Sequence, residues 1–206
     1  DTGGVDVISG GGDDDTVFGG HGGDVIDAGE GNNIVLGDEG VITLTGLEYA
    51  GTGAGDDSNV SDIDEIVSTS TTANGGADII TAGNGQDIII GGRFADTVNA
   101  GDGDNLVIGD SGRIRAAGQD APQFADIPMT FGRIETTEFE DGGIDNITTG
   151  TGFDIVLGGD EGDIIGVGEG HNIVLGDDGA IIYTGADFRP TIDWEAGDDT
   201  DASDID

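Results

Sequence analysis

A nine-residue period runs through this chain and leaves little freedom in how it can fold. Residues 19–27 read G-G-H-G-G-D-V-I-D, and residues 28–36 follow as A-G-E-G-N-N-I-V-L. Twelve such rows occur: four start at residues 1, 10, 19 and 28, four at 73, 82, 91 and 100, and four at 140, 149, 158 and 167. The sixth position is Asp or Asn and the eighth is Ile or Val in every row. The fourth is Gly in nine rows, with Asp13, Phe94 and Glu161 as the departures. Drift within a low-complexity segment would not hold a β-branched residue at one position twelve times.

Each row has a physical reading. Its Gly-rich first six residues permit positive φ and close backbone approach, so they turn. The last three, such as Ile88-Ile89-Ile90, form a short strand of β-branched type. A three-residue strand cannot bury its side chain alone, so rows must stack to build a continuous core. The ninth position is polar or small in odd rows (Ser9, Asp27, Thr81, Asn99, Thr148, Gly166) and large and apolar in even rows (Phe18, Leu36, Ile90, Ile108, Leu157, Leu175). Two rows therefore make one coil, with odd and even strands in opposite sheets and the eighth position inside. The outward face of the even sheet is apolar and calls for a cover, from the connecting segments or from a partner chain.

Composition narrows the partners. There are 43 Gly, 44 Asp plus Glu, five basic residues, no Cys and a formal net charge of −39. Nucleic acid and anionic membrane surfaces are excluded as expected partners, since both need clustered Lys and Arg. Disulfides and thiolate chemistry are absent, and no apolar stretch reaches the ~20 residues of a membrane-spanning helix. High charge with few aromatics suggests disorder; the phased apolar residues argue against it. Stacked carboxylates repel, so a cation is their natural compensation, and turns rich in backbone carbonyls plus Asp suit the hard oxygen shell of calcium.

The row G-G-x-G-x-D-x-U-x, matched fully by residues 19–27, resembles the calcium-binding nonapeptide of the repeats-in-toxin family, and the matching rows cover just over half of the chain. The resemblance implies an all-β fold, a parallel β-roll or β-solenoid, with calcium held between turns one coil apart. It implies that a lower turn supplies carbonyls from positions two and four plus its Asp, and an upper turn carbonyls from positions one and three plus its Asp or Asn. In the first block this joins Thr2, Gly4 and Asp6 to Gly19, His21 and Asp24, and Gly11, Asp13 and Asp15 to Ala28, Glu30 and Asn33, with Gly20 and Gly22 in the third turn. In the second it joins Asn74, Gly76 and Asp78 to Gly91, Arg93 and Asp96, and Gly83, Gly85 and Asp87 to Ala100, Asp102 and Asn105. In the third it joins Asp141, Gly143 and Asp145 to Gly158, Asp160 and Asp163, and Gly150, Gly152 and Asp154 to Val167, Glu169 and Asn172. The expected total is roughly six to nine calcium ions.

Each block then reads G-D-x-G-x-I from Gly37, Gly109 or Gly176, with Ile in place of the sixth-position Asp, so the metal ladder is expected to stop there. Asp38, Asp110 and Asp177 either cap the last site or stabilise a turn. The expected organisation is a β-roll block at 1–45, a connector at 46–72, a block at 73–117, a connector at 118–139, a block at 140–184 and a truncated connector at 185–206. The acid run of residues 55–64 returns at 197–206, which reads as a piece of a longer tandem array. The connectors' acid clusters read as solvated loops or as extra calcium sites. His21 and His171 read as turn residues rather than catalytic ones, and Arg93 and Arg113 as offsets to nearby carboxylates. The expected function is non-enzymatic: a calcium-dependent structural module of a secreted or cell-surface protein of a Gram-negative bacterium, such as an adhesin, stalk or filament, folding in extracellular calcium. The alternatives are an accessory roll of a secreted enzyme or an adhesive ligand-binding face. Beyond calcium, the expected partners are neighbouring copies of the chain or a surface ligand.

Overall fold

A computed structural model describes residues 3–44, 62–70, 74–117, 123–124, 127–140 and 142–183. The odd rows form one six-stranded parallel sheet, in the order β1 (Val7–Gly11), β3 (Val25–Gly29), β7 (Ile79–Thr81), β9 (Thr97–Asn99), β13 (Asn146–Thr148) and β15 (Ile164–Gly166). The even rows form a second, in the order β2 (Thr16–Phe18), β4 (Ile34–Leu36), β8 (Ile88–Ile90), β10 (Leu106–Ile108), β14 (Ile155–Leu157) and β16 (Ile173–Leu175). The fold is the all-β parallel roll that the period implies.

Register follows the nine-residue phase across the block boundaries. Ile26 pairs with Ile80 and Val35 with Ile89, joining the first block to the second. Val98 pairs with Ile147 and Val107 with Val156, joining the second to the third. The twelve rows therefore stack as six coils of one roll. This roll is a compact unit made of residues 1–41, 67–112 and 136–179.

The eighth-position side chains fill the space between the sheets. Ile26, Val35, Ile80, Ile89, Val98, Val107, Ile147 and Val156 are all buried and belong to one core cluster with Ala28, Ala82 and Ala100. Val174, in the edge strand β16, is the exposed exception at 44%. Seventh positions separate the faces: Val7, Ile79 and Ile164 of the first sheet are exposed, whereas Ile34, Ile88, Leu106 and Ile155 of the second are buried. The ninth-position residues Leu36, Ile90, Ile108 and Leu157 are buried too. The apolar face of the even sheet is thus buried along its four central strands, while Phe18 at one edge is exposed.

The other unit comprises residues 42–66, 113–135 and 180–206. Strands β5 (Gly40–Thr43), β6 (Glu65–Ser68), β11 (Gly112–Arg115), β12 (Arg133–Thr136) and β17 (Ala180–Ile182) form a third sheet, in the order β17-β12-β11-β6-β5, with β12 and β17 antiparallel. Ile66, Ile114, Ile134 and Ile181 are buried, as are Phe124 and Phe131, whose ring centroids are 5.0 Å apart. Arg113 lies 3.3 Å from Glu65 and 3.7 Å from Glu135, in line with its expected role as an offset to carboxylates. Most of the acid run at 55–64, all of 197–206, and the aromatic residues Tyr49, Phe188 and Trp194 lie outside the described residues.

Three turns lack the fourth-position Gly, yet the backbone there keeps the left-handed conformation, with φ of 76° at Asp13, 73° at Phe94 and 70° at Glu161. Six of the nine equivalent glycines, Gly22, Gly31, Gly85, Gly103, Gly152 and Gly170, have positive φ as well. The turn shape is imposed by stacking, and a side chain with Cβ bears the strain. Phe94 is 46% exposed and loses little contact on truncation. Phe94→Gly is expected to stabilise the roll by about 0.5–1 kcal/mol, the left-handed cost less the extra entropy of Gly. Asp13→Gly gains less, because Asp tolerates this conformation better. Thermal melts of both variants in calcium check the ranking.

Candidate metal centre

The turns of the roll stack along two edges, and the sixth-position side chains bind each stack together. On the edge that feeds the odd strands, the Asp6 N–H donates to Asp24 Oδ1 at 2.7 Å, Asp24 to Asp78 at 2.7 Å, Asp78 to Asp96 at 2.7 Å, Asp96 to Asp145 at 2.8 Å and Asp145 to Asp163 at 2.9 Å. On the other edge the Asp15 N–H donates to Asn33 Oδ1 at 3.0 Å, Asn33 to Asp87 at 2.8 Å, Asp87 to Asn105 at 3.1 Å, Asn105 to Asp154 at 3.1 Å and Asp154 to Asn172 at 2.9 Å. From the second coil onward one carboxylate oxygen per Asp is thereby fixed in direction, and the other is turned into its own turn.

That second oxygen marks each turn as a candidate cation site. Oδ2 of Asp15, Asp24, Asp78, Asp87, Asp96, Asp145 and Asp163 is buried and has no hydrogen-bond partner. Leaving so many buried acceptors without a partner is costly. The space beside each one is narrow and lined with oxygen. A Cβ on Gly19 would lie 2.7 Å from Asp24 Oδ2 and against the Gly37 carbonyl; one on Gly91 would lie 2.5 Å from Asp96 Oδ2 and against the Gly109 carbonyl. Gly10, Gly37, Gly109 and Gly158 stand in the same relation to Asp15, Asp78, Asp145 and Asp163 and to the first-position carbonyls of the next coil, those of Ala28, Gly91, Gly158 and Gly176. Carboxylate and carbonyl oxygens from successive turns converge, which is the donor set of calcium. Among the described residues no three His, Cys, Asp or Glu side chains cluster; a cradle of this kind takes most of its oxygens from the backbone.

The electrostatics agree. Burial pushes the carboxyls of Asp78 and Asp87 up to about 7 and that of Asp145 up to about 8, against an ordinary value of 3.8. It raises Asp96 well above that value, and Asp24, Asp154 and Asp163 in the same direction. Backbone N–H donors and neighbouring carboxylates act in opposite senses on top of that burial. A divalent cation at Oδ2 would offset the desolvation and hold these groups ionised.

The expectation that the ladder ends with each block does not hold for its hydrogen bonds, which run on from Asp24 to Asp78 and from Asp96 to Asp145. The reason is a composite turn. Gly37 and Asp38 occupy its first two positions, the chain leaves, and Gly75 to Asp78 return to complete it. Asp38 pins the two halves: Oδ1 accepts from the Gly76 N–H at 3.0 Å and Oδ2 from the Arg93 N–H of the next turn at 2.6 Å. Asp110 does the same for the second composite turn, accepting from Gly143 at 2.9 Å and from Asp160 at 2.6 Å. Of the two roles open to these residues, the turn-stabilising one is visible. Burial raises Asp38 to about 6 and Asp110 to about 7. Asp177 is exposed.

Of the other expected ligands, Gly4, Gly11, Gly20, Gly22, Gly83, Gly85, Gly143, Gly150, Gly152, Ala100, Val167, Glu30, Asp102 and Glu169 lie in stacked turns, while Thr2 and Asp141 lie outside the described residues. His21 contacts Glu39. Arg93 is buried, and its Nη1 donates to the Ser70 carbonyl at 3.2 Å. Position five carries a second ladder that the motif does not advertise: the Asn32 N–H donates to Asp14, Gln86 to Asn32 and Phe153 to Asp104, each at 2.8 Å. Thr149, at a first position, donates its hydroxyl to Asp154 Oδ2 at 2.7 Å, which explains why that oxygen is not orphaned.

The family model for the RTX calcium-binding nonapeptide repeat matches four times, at residues 1–40, 72–98, 82–113 and 141–174, together more than half of the chain. The chain belongs to this family. It is a calcium-binding module of a repeat protein, and its repeats are a structural rather than catalytic element. Neither a curated protein nor a solved structure matches it.

The raised carboxyls set a pH dependence for the metal-free RTX roll. The folded chain keeps protons at Asp78, Asp87 and Asp145 that the unfolded chain releases above about pH 4. Stability in chelator therefore falls as pH rises from about 4 to about 8, then levels off. With calcium saturating the turns, the ion competes with those protons and the trend flattens or reverses. The far-UV β signal between pH 4 and 8, in chelator and in calcium, tests this; a metal-free chain that gains β structure as pH rises refutes the burial of these carboxylates.

Proposed function

We propose that this chain is a calcium-dependent structural module of a secreted or cell-surface bacterial repeat protein, an adhesin, stalk or filament, that folds when it meets extracellular calcium. The row of buried, unpartnered Asp Oδ2 atoms along both edges carries this reading. A chain with a net charge of −39 repels itself. Ligand oxygens gathered only by coil stacking make binding free energy and folding free energy the same quantity.

The residues that would hold the ions are the nine sixth-position Asp: Asp6, Asp24, Asp78, Asp96, Asp145 and Asp163 on one edge, and Asp15, Asp87 and Asp154 on the other. Each acts with carbonyls of its own turn and of the turn above. The ion would supply positive charge and a rigid oxygen shell; the chain fixes seven of the nine Asp through Oδ1, all but Asp6 and Asp15 of the first coil. Capacity is then nine ions, the upper end of the range expected from the motif, with affinities in the ~10⁻⁴–10⁻³ M class of extracellular modules. The cytosol is too poor in calcium to fold such a roll, which suits export of a loose chain.

Nothing in the turns asks for catalysis, because the regular carboxylates are engaged in the ladders. Accessory service to a secreted enzyme is the second reading, and the stacking of all three blocks into one roll with long excursions favours the structural one. The decisive measurement is far-UV circular dichroism with bound-metal analysis. Addition of millimolar calcium to the chelated chain is expected to produce a cooperative gain of β signal. An unchanged spectrum, or two or fewer ions retained per chain after dialysis, would refute the reading.

A further inference from the structure

The sixth position alternates along the edge that feeds the even strands: Asp15, Asn33, Asp87, Asn105, Asp154, Asn172. On the opposite edge it is Asp throughout. Asn differs from Asp by carrying two hydrogens where the carboxylate carries a lone-pair oxygen and a charge. In this fold that exchange falls on the atom that faces the calcium cradle.

The orientation of the two buried amides is fixed by the ladder. Asn33 Oδ1 accepts from the Asp15 N–H at 3.0 Å, so its Nδ2 must occupy the place that Oδ2 takes in an Asp turn. There it donates to the Gly29 carbonyl at 3.3 Å, the Gly31 carbonyl at 3.2 Å and the Ala82 carbonyl of the next coil at 3.2 Å. These are the second and fourth carbonyls of the lower turn and the first of the upper. Asn105 repeats the arrangement: Oδ1 accepts from Asp87 at 3.1 Å, and Nδ2 reaches the Gly101 carbonyl at 3.3 Å, the Gly103 carbonyl at 3.0 Å and Asp154 Oδ1 at 3.1 Å. Both side chains are fully buried. In the flanking Asp15 and Asp87 turns the corresponding Oδ2 has no partner.

We infer that the steps above Asn33 and Asn105 are closed without metal, the side-chain NH2 group supplying to the carbonyl cradle the positive charge that calcium supplies at Asp steps. Calcium entering such a step would have to displace a buried amide from three acceptors and would find no charged ligand in the lower turn. These two steps are the ones that join the first block to the second and the second to the third along this edge. The blocks are therefore joined there by permanent hydrogen-bonded seams, and calcium occupies alternate steps of that edge. This deepens the calcium reading and rests on it.

Metal counting by mass spectrometry after equilibration in calcium, on the full chain and its variants, tests it. The wild-type chain is expected to hold nine ions, one per sixth-position Asp. The double substitution Asn33→Asp with Asn105→Asp is expected to hold two more and to show less β signal in chelator, because two amide-filled cradles become two repelling carboxylates. The reciprocal Asp87→Asn is expected to lose one ion while still folding cooperatively in calcium. A wild-type count of eleven, an unchanged count in the double variant, or an unchanged count in Asp87→Asn overturns the inference. If the double variant does not fold, the wild-type count and Asp87→Asn decide. A wild-type chain that binds no calcium removes the calcium reading itself; one that binds it with the counts unaltered removes only the seams.

Discussion

Everything in the roll depends on one divided carboxylate. From the second coil onward each sixth-position side chain spends one oxygen on the backbone N–H of the coil below, at 2.7–3.1 Å, and turns its other terminal atom into its own turn. The first bond sets the spacing between coils and the direction of the side chain. The second atom then has no choice of surroundings. If it is oxygen, it is buried among carbonyls and needs a cation; if it is an amide nitrogen, the carbonyls satisfy it. Core packing of the eighth-position Ile and Val completes the stack, but those side chains would tolerate a sliding coil that the ladders do not.

Charge acquires a different meaning in this light. A net charge of −39 over 206 residues is ordinarily a property of chains that do not fold. Here the acids that matter are few and phased, and their desolvation is severe enough to push Asp78, Asp87 and Asp145 to about 7, 7 and 8. The fold is built with a cost that only a proton or a metal removes. Surface pairs such as Arg113 with Glu65 are minor beside this, since partly exposed ion pairs contribute at most about 1 kcal/mol.

Much of this was legible beforehand. Strict recurrence of Ile or Val at the eighth position and of Gly early in each row fixes strand, turn and sheet side, and the alternation at the ninth position places odd and even strands in different sheets. What was not legible was anything that depends on chain segments distant in sequence. The composite turns at Gly37 and Gly109 break the period in the sequence while preserving it in space, so a ladder that appears to stop in fact continues. The task of Asp38 depends on Arg93, 55 residues away. Phe94 hides its turn because Gly is the usual mark of positive φ, whereas the neighbouring coils can impose it. Asn33 looks like a weakened Asp until its nitrogen is seen against the Ala82 carbonyl.

The composite turns also say what the roll asks of its own covalent chain. Within a block, ladder partners are 18 residues apart; across the two boundaries they are 54 and 49 apart, yet the bonds are 2.7 and 2.8 Å, as they are inside a block. The excursions behave like parentheses: the roll resumes where it paused, whatever length of text has been inserted. Growth of such a protein by duplication therefore sets no fixed length for its insertions, which need keep only the residues that pack their own sheet, such as Ile66, Ile114 and Ile134. The turns alone keep count.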